Sequence, residues 1–253
     1  FTLLFLVPFF ISSQQLSSNE IFHRFKKLNV LGNVLYLAAH PDDENTRFIS
    51  YCANEKLFNT GYLSLTRGDG GQNLIGTEIR EELGIIRTQE LLSARSIDGG
   101  QQFFTRANDF GYSKTPDETL EIWDKEKVLS DVVWVIRKFK PDVIVCRFPV
   151  DGKGGHGHHT SSALLAAQAF DISGDSTQFN EQLKYVSTWQ PKRVVINTGR
   201  WWNKDISASD PGVVSTDIGG YNQLLGTSYN ELAALSRSCL LYTSPSPRDT
   251  RSS

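Results

Sequence analysis

The chain has 253 residues, 39% hydrophobic and 21% charged, with 20 glycines and 9 prolines; this composition excludes disordered and fibrous chains and suffices for one sizeable core. With 26 Lys and Arg against 28 Asp and Glu the formal net charge is −2, and no basic stripe stands out, so no nucleic-acid partner held by counterion release is expected. Cys52, Cys146 and Cys239 are too few and too scattered for a disulfide scaffold or a thiolate zinc site, which leaves imidazole and carboxylate to hold any metal.

In chain order, residues 1–11 read FTLLFLVPFFI and run into a small, polar stretch. That run is too short for a bilayer core of roughly 30 Å. It has the form of the apolar and cleavage regions of a secretory signal, so residues 1–18 are expected to be a truncated signal peptide, the mature chain to lack a transmembrane span, and the protein to be secreted or periplasmic. Apolar runs at 34–39, 61–66, 143–146 and 193–197 read as strands, and amphipathic stretches at 43–55, 78–95, 118–139 and 160–170 as helices. In 118–139, Ile122, Val128, Leu129, Val132, Val133, Ile136 and Phe139 recur at helical spacing, and Pro141 prevents continuation. Such alternation is the sign of βαβ units, an α/β fold with a parallel sheet and right-handed crossovers. Residues 99–116 read as an irregular insertion and 205–229 as surface connections. From Ser236 the chain reads SRSCLLYTSPSPRDTRSS, which is similar to translated adaptor sequence, so one domain over 19–235 and a non-native or disordered tail over 236–253 are expected.

Two constellations carry chemistry. Ala38-Ala39-His40-Pro41-Asp42-Asp43-Glu44 follows the first strand, at the edge where open α/β sheets bind ligands. A helix opening at Pro41 would put His40 and Asp43 on one side and turn Asp42 elsewhere, a metal-ligand pair beside a general base. Gly154-Gly155-His156-Gly157-His158-His159 follows the strand 143–146 and gathers three of the five histidines into four positions. His156 and His159 have the spacing to face one site, and His158 should point away from at least one of them. A parallel sheet brings both loops to one edge. His40, Asp43 and one later histidine then supply three N/O ligands and leave a position for water; zinc suits that set, as do iron(II) and manganese(II). A nucleotide site on Gly68-Asp69-Gly70-Gly71 fails, because neither a Gly-Lys-Ser/Thr nor a Gly-x-Gly-x-x-Gly accompanies it.

His40-Pro41-Asp42-Asp43 and His156-Gly157-His158-His159, in this order, with the Gly-rich turn Thr66-Arg67-Gly68-Asp69-Gly70-Gly71 and the helix carrying Arg87 and Glu90 between them, resemble the PIG-L/LmbE-like zinc N-deacetylases. The resemblance spans residues 34–170. It implies a Rossmann-like three-layer sandwich without a dinucleotide, zinc on His40, Asp43 and His159, Asp42 as general base and His156 as a protonated aid at the transition state. Many relatives carry Pro-Asp where this chain has Gly157-His158, which makes His158 a competing ligand. The implied reaction removes an N-acetyl group from an amino-sugar substrate by activated water, with Asp42 or His156 delivering a proton to the amine. Arg87 and Asp69 are the candidate substrate contacts. The rival expectations are a secreted carbohydrate-binding module that keeps the metal without catalysis, and an amidase for larger N-acyl groups.

Overall fold

The computed structural model describes residues 16–73 and 75–241. The apolar run read as a signal peptide and the end of the tail lie outside them.

The first described helix, α1 (Ser18–Lys27), is set by a capping box between Ser17 and Glu20. Then follow β1 (Asn33–Ala38), α2 (Thr46–Asn54), β2 (Asn59–Ser64), α3 (Glu81–Asp98) and β3 (Gln101–Phe104). The second half runs α4 (Pro116–Ile122), α5 (Lys125–Phe139), β4 (Val143–Cys146), α6 (Gly157–Ile172) and β5 (Arg193–Ile196). A short hairpin, β6 (Tyr221–Asn222) and β7 (Thr227–Ser228), leads into α7 (Tyr229–Ser238).

All pairings in the five-stranded sheet are parallel, in the order β3-β2-β1-β4-β5. The chain moves outward from β1 to β3 and then returns to the other side of β1, so the order reverses between β1 and β4. That reversal at the carboxyl ends of the strands is the position where open α/β sheets bind ligands. Both faces of β1 are covered because successive side chains point to opposite sides. Leu35 and Leu37 pack with Val128, Val132 and Ile136 of α5 and Leu165 and Ala166 of α6, whereas Tyr36 and Ala38 pack with Ile49 of α2 and Leu91 of α3. The result is a helix–sheet–helix sandwich, as expected.

Several boundaries differ from the sequence expectation. The helix expected at 43–55 begins at Thr46, because the Asn45 side chain caps it by accepting from the Phe48 N–H at 3.1 Å. The stretch 118–139 is two helices: Trp123 ends α4, Asp124 takes a left-handed φ of 57°, and the buried indole donates to the Asn108 carbonyl at 2.8 Å. Ile122, counted among the apolar positions, is exposed. The insertion 99–116 contains β3, a four-residue edge strand. The helix expected at 160–170 starts earlier, at Gly157, and puts His158 and His159 in its first turn. The boundary expected before Ser236 falls inside α7, whose buried Ser236 hydroxyl donates to Asp98 Oδ2 at 2.7 Å.

Gly157 docks this first turn. Its N–H donates to the Ser113 carbonyl at 2.9 Å, and a Cβ there would collide with the Ser113 hydroxyl and the Thr115 carbonyl and lie 2.7 Å from Thr119 Oγ1. Because the Thr115 obstacle is backbone, Gly157→Ala is expected to destabilise the protein by about 1–3 kcal/mol in urea unfolding; unchanged stability would show that the two segments are not wedged together.

Candidate metal centre

The loop after β1 closes on itself. The His40 N–H donates to Asp43 Oδ2 at 2.8 Å, the Asp43 N–H donates to the His40 carbonyl at 3.3 Å, and His40 Nδ1 lies 3.3 Å from the same carboxylate. His40 and Asp43 therefore converge through a turn, in place of the helical turn expected from Pro41. Asp42, between them, has φ 99°, a conformation that is costly for a residue with a Cβ and persists only when its surroundings impose it. Three neighbouring residues do so. Arg87 donates to the Pro41 carbonyl at 2.6 Å and lies 3.3 Å from Asp42 Oδ1; Arg237 of α7 donates to the Asp42 carbonyl at 2.6 Å; and the Asp42 N–H donates to Glu44 Oε2 at 3.0 Å. The Tyr62 hydroxyl donates to the His40 carbonyl.

The loop after β4 supplies the other side. His156 is the N-cap of α6, its Nδ1 accepting from the His158 N–H at 3.0 Å. The His159 ring stacks on Phe148, with centroids 3.8 Å apart and planes within 6°. His159 Nδ1 is 2.9 Å from the Gly154 carbonyl, which makes Nδ1 the protonated nitrogen and leaves Nε2 bare, 3.7 Å from Asp43 Oδ1. His158 is fully buried against Phe110 and Trp123, and its Nδ1 lies 2.9 Å from His40 Nε2.

Two ligand sets result, both containing His40: His40, Asp43 and His159, and His40, His156 and His158. In each, the donor atoms lie within 4.8 Å of one another, close enough for one ion with bonds of about 2.0–2.2 Å after small side-chain adjustments. The first set fits better. It includes a carboxylate, its His159 nitrogen is already directed by Gly154, and none of its members is wholly buried, so a coordination position stays open to water.

The charges fit a cation site. Burial pushes the Asp43 carboxyl up, but His159 and His40 outweigh it and hold the group below the usual carboxylate range. Burial raises Asp42 to about 6, against the pull of Arg87 and with the help of Asp43's charge. Burial lowers His40, yet the hydrogen bond and charge of Asp43, followed by Asp109, raise it overall. Burial, followed by the charges of His40 and His159, lowers His156 to about 4. That shift favours the neutral ring, whereas an imidazolium was expected.

Of the two candidate substrate contacts, Arg87 is buried beneath the His40 loop and holds its backbone. Asp69 lines a separate groove with Arg67, Glu81, Thr88, Arg106 and Asn108, and belongs to neither ligand set. Besides the aromatic neighbours Phe110, Trp123 and Phe148, three polar residues not singled out in the sequence touch the site. Asp109 approaches His158 Nδ1 at 3.8 Å and His40 Nε2 at 4.0 Å, Tyr62 holds the His40 carbonyl, and Arg237 holds that of Asp42. Asp109 is a single acid in an aperiodic segment, and Arg237 lies in the stretch set aside as tail; neither position carries a sequence signal.

Residues 35–170, more than half of the chain, match the PIG-L family, described as GlcNAc-PI de-N-acetylase. This chain belongs to the PIG-L family. The PIG-L match contains both histidine loops and Arg87. Among solved structures, the fold is similar to N,N'-diacetylchitobiose deacetylase from Pyrococcus horikoshii, complexed with its inhibitor MPG, with 17% identity, a TM-score of 0.57 and coverage of 90% of this chain and 82% of that one. It is also similar to the conserved protein TT1542 from Thermus thermophilus, with 19% identity, a TM-score of 0.52 and coverage of 83% and 80%. These likenesses concern the fold. No curated protein matches the chain.

Behind the PIG-L site, Arg95 of α3 lies 3.2 Å from Glu44 and 2.6 Å from Asp98, all three buried. Arg95→Met would strand two carboxylates in the interior, and a stability loss of about 3–5 kcal/mol is expected in urea unfolding; a loss under about 1 kcal/mol would contradict the pairing.

Proposed function

We propose that this protein is a metal-dependent hydrolase that removes an N-acetyl group from an N-acetylated amino-sugar substrate, with zinc as the preferred ion on His40, Asp43 and His159. The observation that carries the reading is the meeting of these three side chains at the carboxyl ends of β1 and β4, with the Asp42 carboxylate beside them. Membership of a de-N-acetylase family supports the reaction class.

A divalent cation held there polarises an amide carbonyl and lowers the pKa of a water toward about 7. The rest falls to the chain's own groups. Asp42, anchored through Arg87, takes the proton from water as its oxygen attacks the acetamide carbon. Because His156 Nδ1 accepts the His158 N–H, the His156 ring carries its proton on Nε2, where it can hydrogen-bond to the carbonyl oxygen as negative charge develops. The C–N bond breaks as the proton that Asp42 took from water passes to the nitrogen, giving acetate and a free amine.

Purified protein is expected to contain zinc and to release acetate from N-acetylglucosamine derivatives; chelation should abolish turnover and zinc should restore it. Bound zinc without turnover across a panel of N-acetyl substrates would sink the catalytic reading in favour of a binding module, and faster cleavage of longer N-acyl groups would redirect it to an amidase. Asp42→Asn is expected to lower acetate release by at least about 100-fold with zinc content unchanged. Near-normal activity in that variant would remove Asp42 from the proton transfer.

A further inference from the structure

The site reading leaves His158 over. It is the most buried of the three clustered imidazoles and belongs to the alternative ligand set, and nothing in the proposed reaction uses its side chain.

We infer that His158 is a positioning residue, accepting a hydrogen bond from His40 Nε2–H and so presenting His40 Nδ1 to the cation; the inference rests on the metal-centre reading above. A neutral imidazole has one bare nitrogen and one N–H. His40 Nδ1 is on the Asp43 side, 3.3 Å from its carboxylate. A cation on Nδ1 therefore requires the proton on Nε2, and the atom within hydrogen-bonding distance of Nε2 is His158 Nδ1, at 2.9 Å. Accepting there puts the proton of His158 on its own Nε2, a buried atom with no hydrogen-bond partner among the described residues. The fold keeps that atom unsatisfied, and the contact with His40 accounts for it. Asp109, 4.0 Å from His40 Nε2 and 3.8 Å from His158 Nδ1, adds negative charge on the side where the His40 proton must stay.

The His158 ring has little freedom to do anything else. Its centroid lies 4.4 Å from that of Phe110 and 4.7 Å from that of Trp123, and Gly157 before it wedges the first turn of α6 against Ser113 and Thr119. Acting as a ligand through Nδ1, it would draw the ion to the Nε2 side of His40, away from Asp43 and His159, and into a position lined by a side chain with no exposed surface. The break between α4 and α5 acquires a purpose on this reading: it inserts Trp123 as one wall of the His158 niche.

The test compares zinc affinity, by competition with a chromophoric chelator, in wild type, His158→Phe and His158→Asn, with X-ray absorption counting the imidazoles on the bound metal. Phe fills the aromatic niche without an acceptor. The Asn amide oxygen can occupy the place of Nδ1. Zinc should bind about 10–100-fold more weakly to His158→Phe and within about threefold of wild type to His158→Asn, with two imidazoles on the metal in all three. Loss of an imidazole from the metal in His158→Phe would make His158 a ligand and overturn the inference. Equal affinity in all three, or equal weakening in both variants, would overturn it as well. Failure of wild type to take up zinc would instead bring down the metal-centre reading, and this inference with it. Should His158→Phe not fold, His158→Leu makes the same comparison with a smaller side chain.

Discussion

The parallel pairing of β1 with β4 sets the geometry on which everything else depends. With Leu37 opposite Cys146, the two strands end within one residue of each other, and the loops that follow them start from neighbouring points on one edge. The His40 loop and the His156–His159 turn are more than a hundred residues apart in the chain, yet only two adjacent strands separate them in space. A register slip would move the apolar set of β4 to the wrong face and draw the imidazoles away from Asp43. Burial on both sides of β1 therefore guards the site as well as the core.

Around that edge the protein maintains several unfavourable local arrangements: a left-handed Asp42, a carboxylate pair at Asp42 and Asp43, and an unsatisfied nitrogen on His158. The neighbours that hold this edge come from different elements. Arg87 comes from α3, Arg237 from α7, Phe148 from the end of β4, and Trp123 from the end of α4. Side chains fixed by several elements cannot relax independently, which is what a preorganised ligand set requires.

The candidate ligand residues and four of the five strands of the sheet were legible because their signals are local: short apolar runs, and rare imidazoles concentrated beside glycine. The way His40 meets Asp43 was not. Pro41 and Asn45 can each start a helix, and the competition is decided by contacts of the Asp43 carboxylate and the Asn45 side chain that one-dimensional spacing does not express. Arg87 lies on an amphipathic helix and looks like a surface cation until Gly68, which has no Cβ, is seen to let its guanidinium in. The split of 118–139 escaped for a similar reason: helical periodicity continues through Ile122, while the demand of the His158 niche for an indole is tertiary. Asp109 and Arg237 are single residues whose roles exist only after folding.

One contact has a bearing on biogenesis. The carbonyl of Asp42 is held by a side chain 195 positions later in the chain. During synthesis the sheet and both histidine loops leave the ribosome before α7, and the backbone of Asp42 gains this anchor only when that helix emerges and docks. That anchor is therefore among the last contacts the chain can make, together with the part of the core that Tyr229 and Leu240 complete.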